Sequence, residues 1–130
     1  MASLFQEITT GKQPVEQCIS IFELVRDIPY RLIPALYDPT LASSGILQAN
    51  AGSCTPKHFL LGIWFEWLGY PVRYITSVFD WNAPAFAFPE GLRRLSERYP
   101  DEYHLCLEVY IKGEWRLIDA TWDMGLRHLG

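Results

Sequence analysis

The stretch from Gly52 to Gly69, GSCTPKHFLLGIWFEWLG, constrains the fold more than any other part of the chain. Phe59, Leu60, Leu61, Ile63, Trp64, Phe65, Trp67 and Leu68 fall on nearly all sides of a helix, with Glu66 the one acidic residue among them. A helix that is apolar all round has to be buried, so the remaining chain must be arranged to cover it. With 130 residues and 49% apolar content, the chain can build one domain, expected over 1–130 with its core at about 14–123. The Trp and Phe side chains read as core packing rather than as a cofactor site. Thr55-Pro56 predicts the start, Thr as N-cap and Pro in the first turn, and Gly69 predicts the stop. Cys54 then stands at the head of the helix. Unpaired N–H groups and the positive end of the helix dipole favour a thiolate there, and Lys57 adds a nearby positive charge. The alternative role for Cys54 is that of a small buried filler.

Before this helix, Val15, Cys18, Ile19, Phe22 and Val25 follow the spacing of a helix with one buried face, over Pro14 to about Arg26. Cys18 falls on that stripe and reads as a core cysteine. Pro29 disfavours helical geometry at Ile28 and ends the helix near Asp27. Tyr30 to Ser53, with Pro34, Pro39, Gly45 and Gly52, reads as a long packed loop with at most a short helical turn around Thr40. After Gly69, Pro71 to Phe79 is rich in β-branched and aromatic residues and is expected to be a strand. Asn82-Ala83-Pro84 breaks it, and Pro89 to Arg98 can form a short helix that Pro100 ends, with Arg93, Arg94 and Arg98 as a solvated face. His104 to Ile111 alternates as a strand, Lys112-Gly113 can turn, and Trp115 to Trp122 is the return strand. His128 belongs to a terminus expected to be frayed and solvent-exposed.

Register then decides the chemistry, because only residues on the same face of a hairpin can meet. A two-residue loop at Lys112-Gly113 pairs Ile111 with Glu114, and so sets Cys106 opposite Asp119 and His104 opposite Thr121. His104 and Asp119 become diagonal neighbours, about 7–8 Å apart at the backbone and within side-chain reach. A three-residue loop without a bulge would separate them. Asp119, between Leu117-Ile118 and Ala120, reads as a buried carboxylate in need of a partner, and an imidazole N–H is a good one. A helix-head cysteine, a strand histidine and an aspartate that orients it make up the nucleophile, base and orienter of covalent acyl transfer. The N–H of Cys54 is the natural oxyanion donor. Gln48, six residues upstream, is a candidate side-chain donor, with Asn50 as its competitor. His58, one turn beyond Cys54, is a rival partner for the thiolate, but no carboxylate neighbour for it can be read from the sequence.

These residues are set in ordered motifs. Gly52-Ser53-Cys54 opens the helix; Leu68-Gly69-Tyr70-Pro71-Val72-Arg73-Tyr74 fits a GxPxRY pattern leading into a strand; Tyr103-His104 follows; Trp115-Arg116-Leu117-Ile118-Asp119-Ala120-Thr121 is close to a W-V-x-D-x-T strand, with one more residue between Trp and Asp; and Val25-Arg26-Asp27-Ile28-Pro29-Tyr30 carries an IPY element. In that order, from about Val15 to Asp123, the chain resembles the transglutaminase-like superfamily, which shares its papain-like architecture with cysteine peptidases. The resemblance implies an α+β domain: N-terminal helices and a central buried helix packed on an antiparallel β-sheet. It further implies a Cys54, His104, Asp119 triad and a thioester formed from an amide or peptide substrate. Family members often carry Trp two residues after the histidine, where this chain has Cys106. Cys106 reads as a small residue filling part of that space, or as a second thiol able to form a reversible disulfide with Cys54. The chain ends at Gly130, soon after Asp119, where family domains usually continue with further strands, so a C-terminally truncated or minimal form is expected.

Composition narrows the partners. A net charge of −4 gives no general attraction to nucleic acid or to an acidic membrane surface. MASLFQEITTGKQ lacks the basic start and apolar core of a signal peptide, and no apolar run is long enough to span a bilayer. Three widely separated cysteines suggest neither a disulfide framework nor a zinc knuckle, which fits a reducing, cytoplasmic setting. The expected partner is a protein or peptide substrate, with no cofactor and no metal. Two other readings stand beside the enzyme: an inactive fold kept as a peptide- or protein-binding module, and a zinc site of Cys54, His104, Cys106 and Asp119, whose spacing follows no compact zinc motif. Whether the acyl acceptor is water or an amine depends on the pocket formed by Tyr30 to Ser53 and Asp80 to Tyr103.

Overall fold

A computed structural model describes residues 1–80, 82–83, 89–98 and 101–124, with the side chains of Leu95 and Asp101 outside the description. The Pro100 stop and His128 lie outside the described residues. Among these, five α-helices and a three-stranded antiparallel sheet give the α+β architecture expected of the sequence. The helices are α1 (Ala2–Thr9), α2 (Pro14–Asp27), α3 (Pro39–Ala49), α4 (Cys54–Trp67) and α5 (Glu90–Arg98); the strands are β1 (Val72–Asp80), β2 (Asp101–Ile111) and β3 (Glu114–Ile118). None of the described helices is long and apolar enough to cross a membrane.

The buried centre is α4. Leu60, Leu61, Trp64 and Phe65 are enclosed by Ile21 and Val25 of α2, Ile46 of α3, and Leu107 and Val109 of β2. The helix starts two residues earlier than the Thr55 cap predicts: Ser53 is the N-cap and Cys54 the first helical residue. Pro56 fits because N–H groups in the first turn have no partner within the helix anyway. At the other end Gly69, at φ +87, sends its N–H to Glu66 O (2.9 Å), and Tyr70 N–H bonds Phe65 O (3.1 Å). That left-handed glycine closes the last carbonyls in the manner of a Schellman cap.

The largest departures from the sequence expectation lie before α4. The supposed loop between Tyr30 and Ser53 contains a 3₁₀ turn at Pro34–Tyr37 and then the eleven-residue helix α3. Asp38 caps it, its carboxylate accepting from Thr40 N (2.9 Å), and Pro39 fills the first position. Its buried face is Ala42, Ser43 and Ile46, and a Cβ on Gly45 would strike Leu36, so the helix forms because small residues let it lie close. In α2 the stripe is rotated. Ile21 and Val25 are fully buried with Cys18 and Phe22 at their flanks, whereas Val15 and Ile19 are exposed. Helix α1 sets Phe5 edge-on to Trp67 with ring centres 5.1 Å apart.

The hairpin follows the predicted register. Lys112 and Gly113 adopt φ values of +53 and +86, the two left-handed positions of a type I′ turn, and Ile111 pairs with Glu114. Pairing continues to Leu107 opposite Ile118 and stops there, four residues short of the predicted Trp122. Beyond Ile118 the backbone leaves the ladder because its polar groups are taken elsewhere: Ala120 N–H by His58, Thr121 N–H by Asp119 and Thr121 O by Lys57.

Candidate active site

Cys54 owes its place to the segment before α4. Gly52 N–H bonds Pro29 O (3.0 Å) and Arg31 N–H bonds Gly52 O (3.2 Å), a short parallel bridge that pins the chain beside Tyr30. A Cβ on Gly52 would lie 2.7 Å from Ile46 Cδ1 and 3.0 Å from Pro56 Cγ, so a larger residue here would have to displace the Ile46 side chain. Cys54 is half-buried, and its Sγ lies 3.9 Å from the Thr55 hydroxyl. Among the described residues no hydrogen bond joins it to His104.

At the far end of the hairpin, His104 Nε2 lies 2.7 Å from Asp119 Oδ2. The other carboxylate oxygen accepts from Thr121 N–H (2.9 Å) and from the Thr121 hydroxyl (2.5 Å). Asp119 is more open than its sequence neighbours suggest, its side chain being 42% exposed. Partial burial pushes its pKa up, but the hydrogen bonds from Thr121 and His104 outweigh this and hold it below the usual carboxylate range. An ionised carboxylate only accepts, so Nε2 of His104 is the protonated nitrogen in this contact, and in the neutral imidazole the lone pair is then on Nδ1.

Cys54, His104 and Asp119 line one pocket of about 480 Å³. Its walls include Tyr30, Leu32, Tyr37, Phe79, Glu102, Tyr103 and Trp122. The Tyr30 and Trp122 rings face each other with centres 4.7 Å apart, and Tyr30 N–H bonds Asp123 (3.2 Å). Among the described residues no lysine or arginine lines this pocket. Gln48 and Asn50 do not line it either: Gln48 is exposed on α3 and Asn50 is the left-handed cap of that helix. Both segments that the sequence marks as walls, Tyr30 to Ser53 and Asp80 to Tyr103, contribute to the lining.

Lys57 and His58 do something other than the sequence suggests. Lys57 is fully buried, and its ammonium donates to Arg26 O and Thr121 O, both at 2.9 Å, instead of standing free beside Cys54. Burial pushes its pKa down to about 8. His58 is also fully buried; its Nδ1 bonds Cys54 O (2.8 Å) and its Nε2 accepts from Ala120 N–H (2.9 Å). With both nitrogens engaged it has none left for the sulfur. It does have the carboxylate neighbour that the sequence left unseen, its Nε2 lying 3.6 Å from Asp119 Oδ1.

Burial pushes His58 from its ordinary 6.5 down to about 4. Above pH 6.5 the imidazole is neutral folded or unfolded; between 6.5 and about 4 only the unfolded chain takes up the proton, so stability falls on acidification. The expected loss is ~3 kcal/mol over that window, at about 1.4 kcal/mol per pH unit. Urea unfolding of the wild type and of His58→Gln at pH 7 and pH 4 checks it, the variant being the less sensitive to acid.

Cys106 is buried, its thiol 3.7 Å from Ile75 O, and burial pushes its pKa up. Cys18, Cys54 and Cys106 are all free thiols. Among the described residues no group of three His, Cys, Asp or Glu side chains is placed to hold a metal ion.

Comparison with known proteins bears on the fold. The model of the transglutaminase-like superfamily matches residues 2–120. A crystal structure of a candidate cysteine protease from Cytophaga hutchinsonii superposes with a TM-score of 0.63 at 20% identity, over 92% of this chain and 36% of that one. The chain therefore spans about a third of that protein's length, and the likeness is one of fold. No curated protein matches.

Proposed function

The chain belongs to the transglutaminase-like superfamily, and on that premise we propose that it is a cysteine-dependent acyl-transfer enzyme acting on amide or peptide bonds through a thioester on Cys54. The observation that carries this reading is the 2.7 Å contact of His104 Nε2 with Asp119 in the pocket that also holds Cys54. It leaves Nδ1 of His104 as the basic atom. The Cys54 sulfur adds to the amide carbonyl carbon while its proton passes to Nδ1. The oxyanion that forms meets the N–H of Cys54, at the first residue of α4, where the helix offers no internal acceptor. The carbon–nitrogen bond then breaks, the amine leaves with the proton from His104, and the acyl group remains on sulfur. Water or an amine attacks that thioester, loses a proton to Nδ1, and the released thiol regains it. Asp119 holds the imidazole in the tautomer that this sequence of steps needs.

Asp119→Asn is expected to slow acyl transfer by about 10²–10⁴-fold with binding largely retained. Release of p-nitroaniline from a peptide anilide library checks it, and an unchanged rate sinks the role of Asp119. A second reading, a peptide-binding module, is favoured by the missing Cys54–His104 hydrogen bond and the exposed Tyr103 and Trp122 at the pocket. Peptide affinity unaffected by Cys54→Ala or His104→Ala, without turnover, would establish it.

A further inference from the structure

Two buried titratable side chains, adjacent in sequence, take no part in those steps, yet both reach the segment that carries Asp119. We infer that Lys57 and His58 are positioning residues, which hold residues 119–121 in the geometry that turns the Asp119 carboxylate toward His104. This goes beyond the acyl-transfer reading and rests on it only for its consequence in reactivity.

The geometry is a three-way junction. Lys57 Nζ joins Arg26 O, at the C-terminal end of α2, to Thr121 O. Arg26 O is one of the last carbonyls of α2, which lack a partner within the helix and attract a cation. His58 joins Cys54 O, in the first turn of α4, to Ala120 N–H. A peptide N–H only donates, so His58 Nε2 must be the unprotonated nitrogen, and Nδ1–H then donates to Cys54 O. Thr121, fixed at its carbonyl by Lys57, returns its N–H and hydroxyl to Asp119 Oδ1. That leaves Oδ2 for His104. Asp119 is beyond the last paired residue of β3, so the sheet does not hold it; α4 does, through two consecutive residues. Because the same turn of α4 begins with Cys54, nucleophile and orienter are referred to one rigid element.

The test reads tautomers rather than activity. Long-range ¹⁵N correlation spectra of the full chain at neutral pH resolve its three histidines, assigned with His104→Gln and His128→Gln. In the wild type His58 is expected as the Nδ1–H form and His104 as the Nε2–H form. His58→Asn keeps a donor near Cys54 O but lacks an acceptor that reaches Ala120 N–H; His58→Gln restores an acceptor at that distance. His104 is expected to relax to a mixture of tautomers in His58→Asn and in Lys57→Met, and to keep its Nε2–H form in His58→Gln. A merely structural role would lower stability in these variants and leave the His104 tautomer alone. Retention of the Nε2–H form in whichever of His58→Asn and Lys57→Met folds overturns the inference. So does a wild type with His58 protonated on Nε2, which needs no variant to fold. Alkylation of Cys54 by chloroacetamide in the same samples separates the two claims: wild-type Cys54 no faster than free cysteine refutes the acyl-transfer reading, whereas the tautomers alone decide the positioning role.

Discussion

Cys54→Ala is expected to lower turnover of any amide substrate by more than about a thousandfold and to abolish labelling by a chloroacetamide-capped peptide. In the proposed reaction Cys54 accepts the acyl group, so no later step can proceed without it; triad knock-outs in serine hydrolases cost about 10⁶ in rate, and what survives comes from binding and oxyanion donors. Little else should change. The side chain is small and half-buried at the first residue of α4, and the bonds that fix this turn, Gly52 N–H to Pro29 O and His58 Nδ1 to Cys54 O, use backbone atoms that alanine retains. Stability should therefore stay within about 0.5 kcal/mol of the wild type. The other two thiols provide an internal control. Cys106 is buried with its pKa pushed up and Cys18 is half-buried with its pKa likewise raised by burial, so neither should label at a comparable rate. Peptide mapping of the labelled protein checks all three sites at once.

Trp64→Ala is expected to cost about 3–5 kcal/mol of stability, read as a fall in the urea midpoint with little change in slope. Trp64 is the largest fully buried side chain, on the helix at the centre of the core, and it meets Phe5 of α1 with ring centres 6.2 Å apart. Its Nε1–H has no hydrogen-bond partner among the described residues, so its contribution is one of packing. Trp64→Phe, which keeps an aromatic ring and removes that unpaired donor, should lose much less than Trp64→Ala. Equal losses in the two variants would contradict the packing account.

Much of the frame was legible because local chemistry and tertiary need agree there. The all-round apolar run of α4, its Gly69 stop, the β-branched run of β1 and the Lys112-Gly113 turn each have one physical solution. The two-residue turn alone set the register that brings His104 beside Asp119, fifteen residues apart in sequence. Helix α3 was not legible. Gly45, Ser43 and Ser44 weaken its intrinsic propensity, and it is the fit of small residues against Leu36 and the core that makes it a helix. The sequence offers Lys57 only as a positive charge near Cys54; a lysine is almost never fully buried, and the two carbonyls that make its burial tolerable come from Arg26 and Thr121, far away along the chain. The end of β3 was misplaced for the same reason: residues 120 and 121 bond to α4, a partner invisible to strand periodicity. Within the site, Cys54, His104 and Asp119 share a pocket, whereas Gln48, chosen by proximity in sequence, stands on the outside of a helix that had been taken for a loop. The wall made by Tyr30 and Trp122 depends on a contact between residues about ninety apart, which no local pattern announces.

The central claim is that Cys54 carries an acyl group covalently, and a burst experiment addresses it without knowledge of the natural substrate. Mixing the protein with excess p-nitrophenyl acetate transfers acetyl to sulfur and releases p-nitrophenolate, followed by slower hydrolysis of the thioester. The expected result is a rapid release of one equivalent per chain, with the acetyl group mapped to Cys54 and the burst absent from Cys54→Ala and slowed in Asp119→Asn. Linear release with no burst, at the rate given by Cys54→Ala, would contradict it.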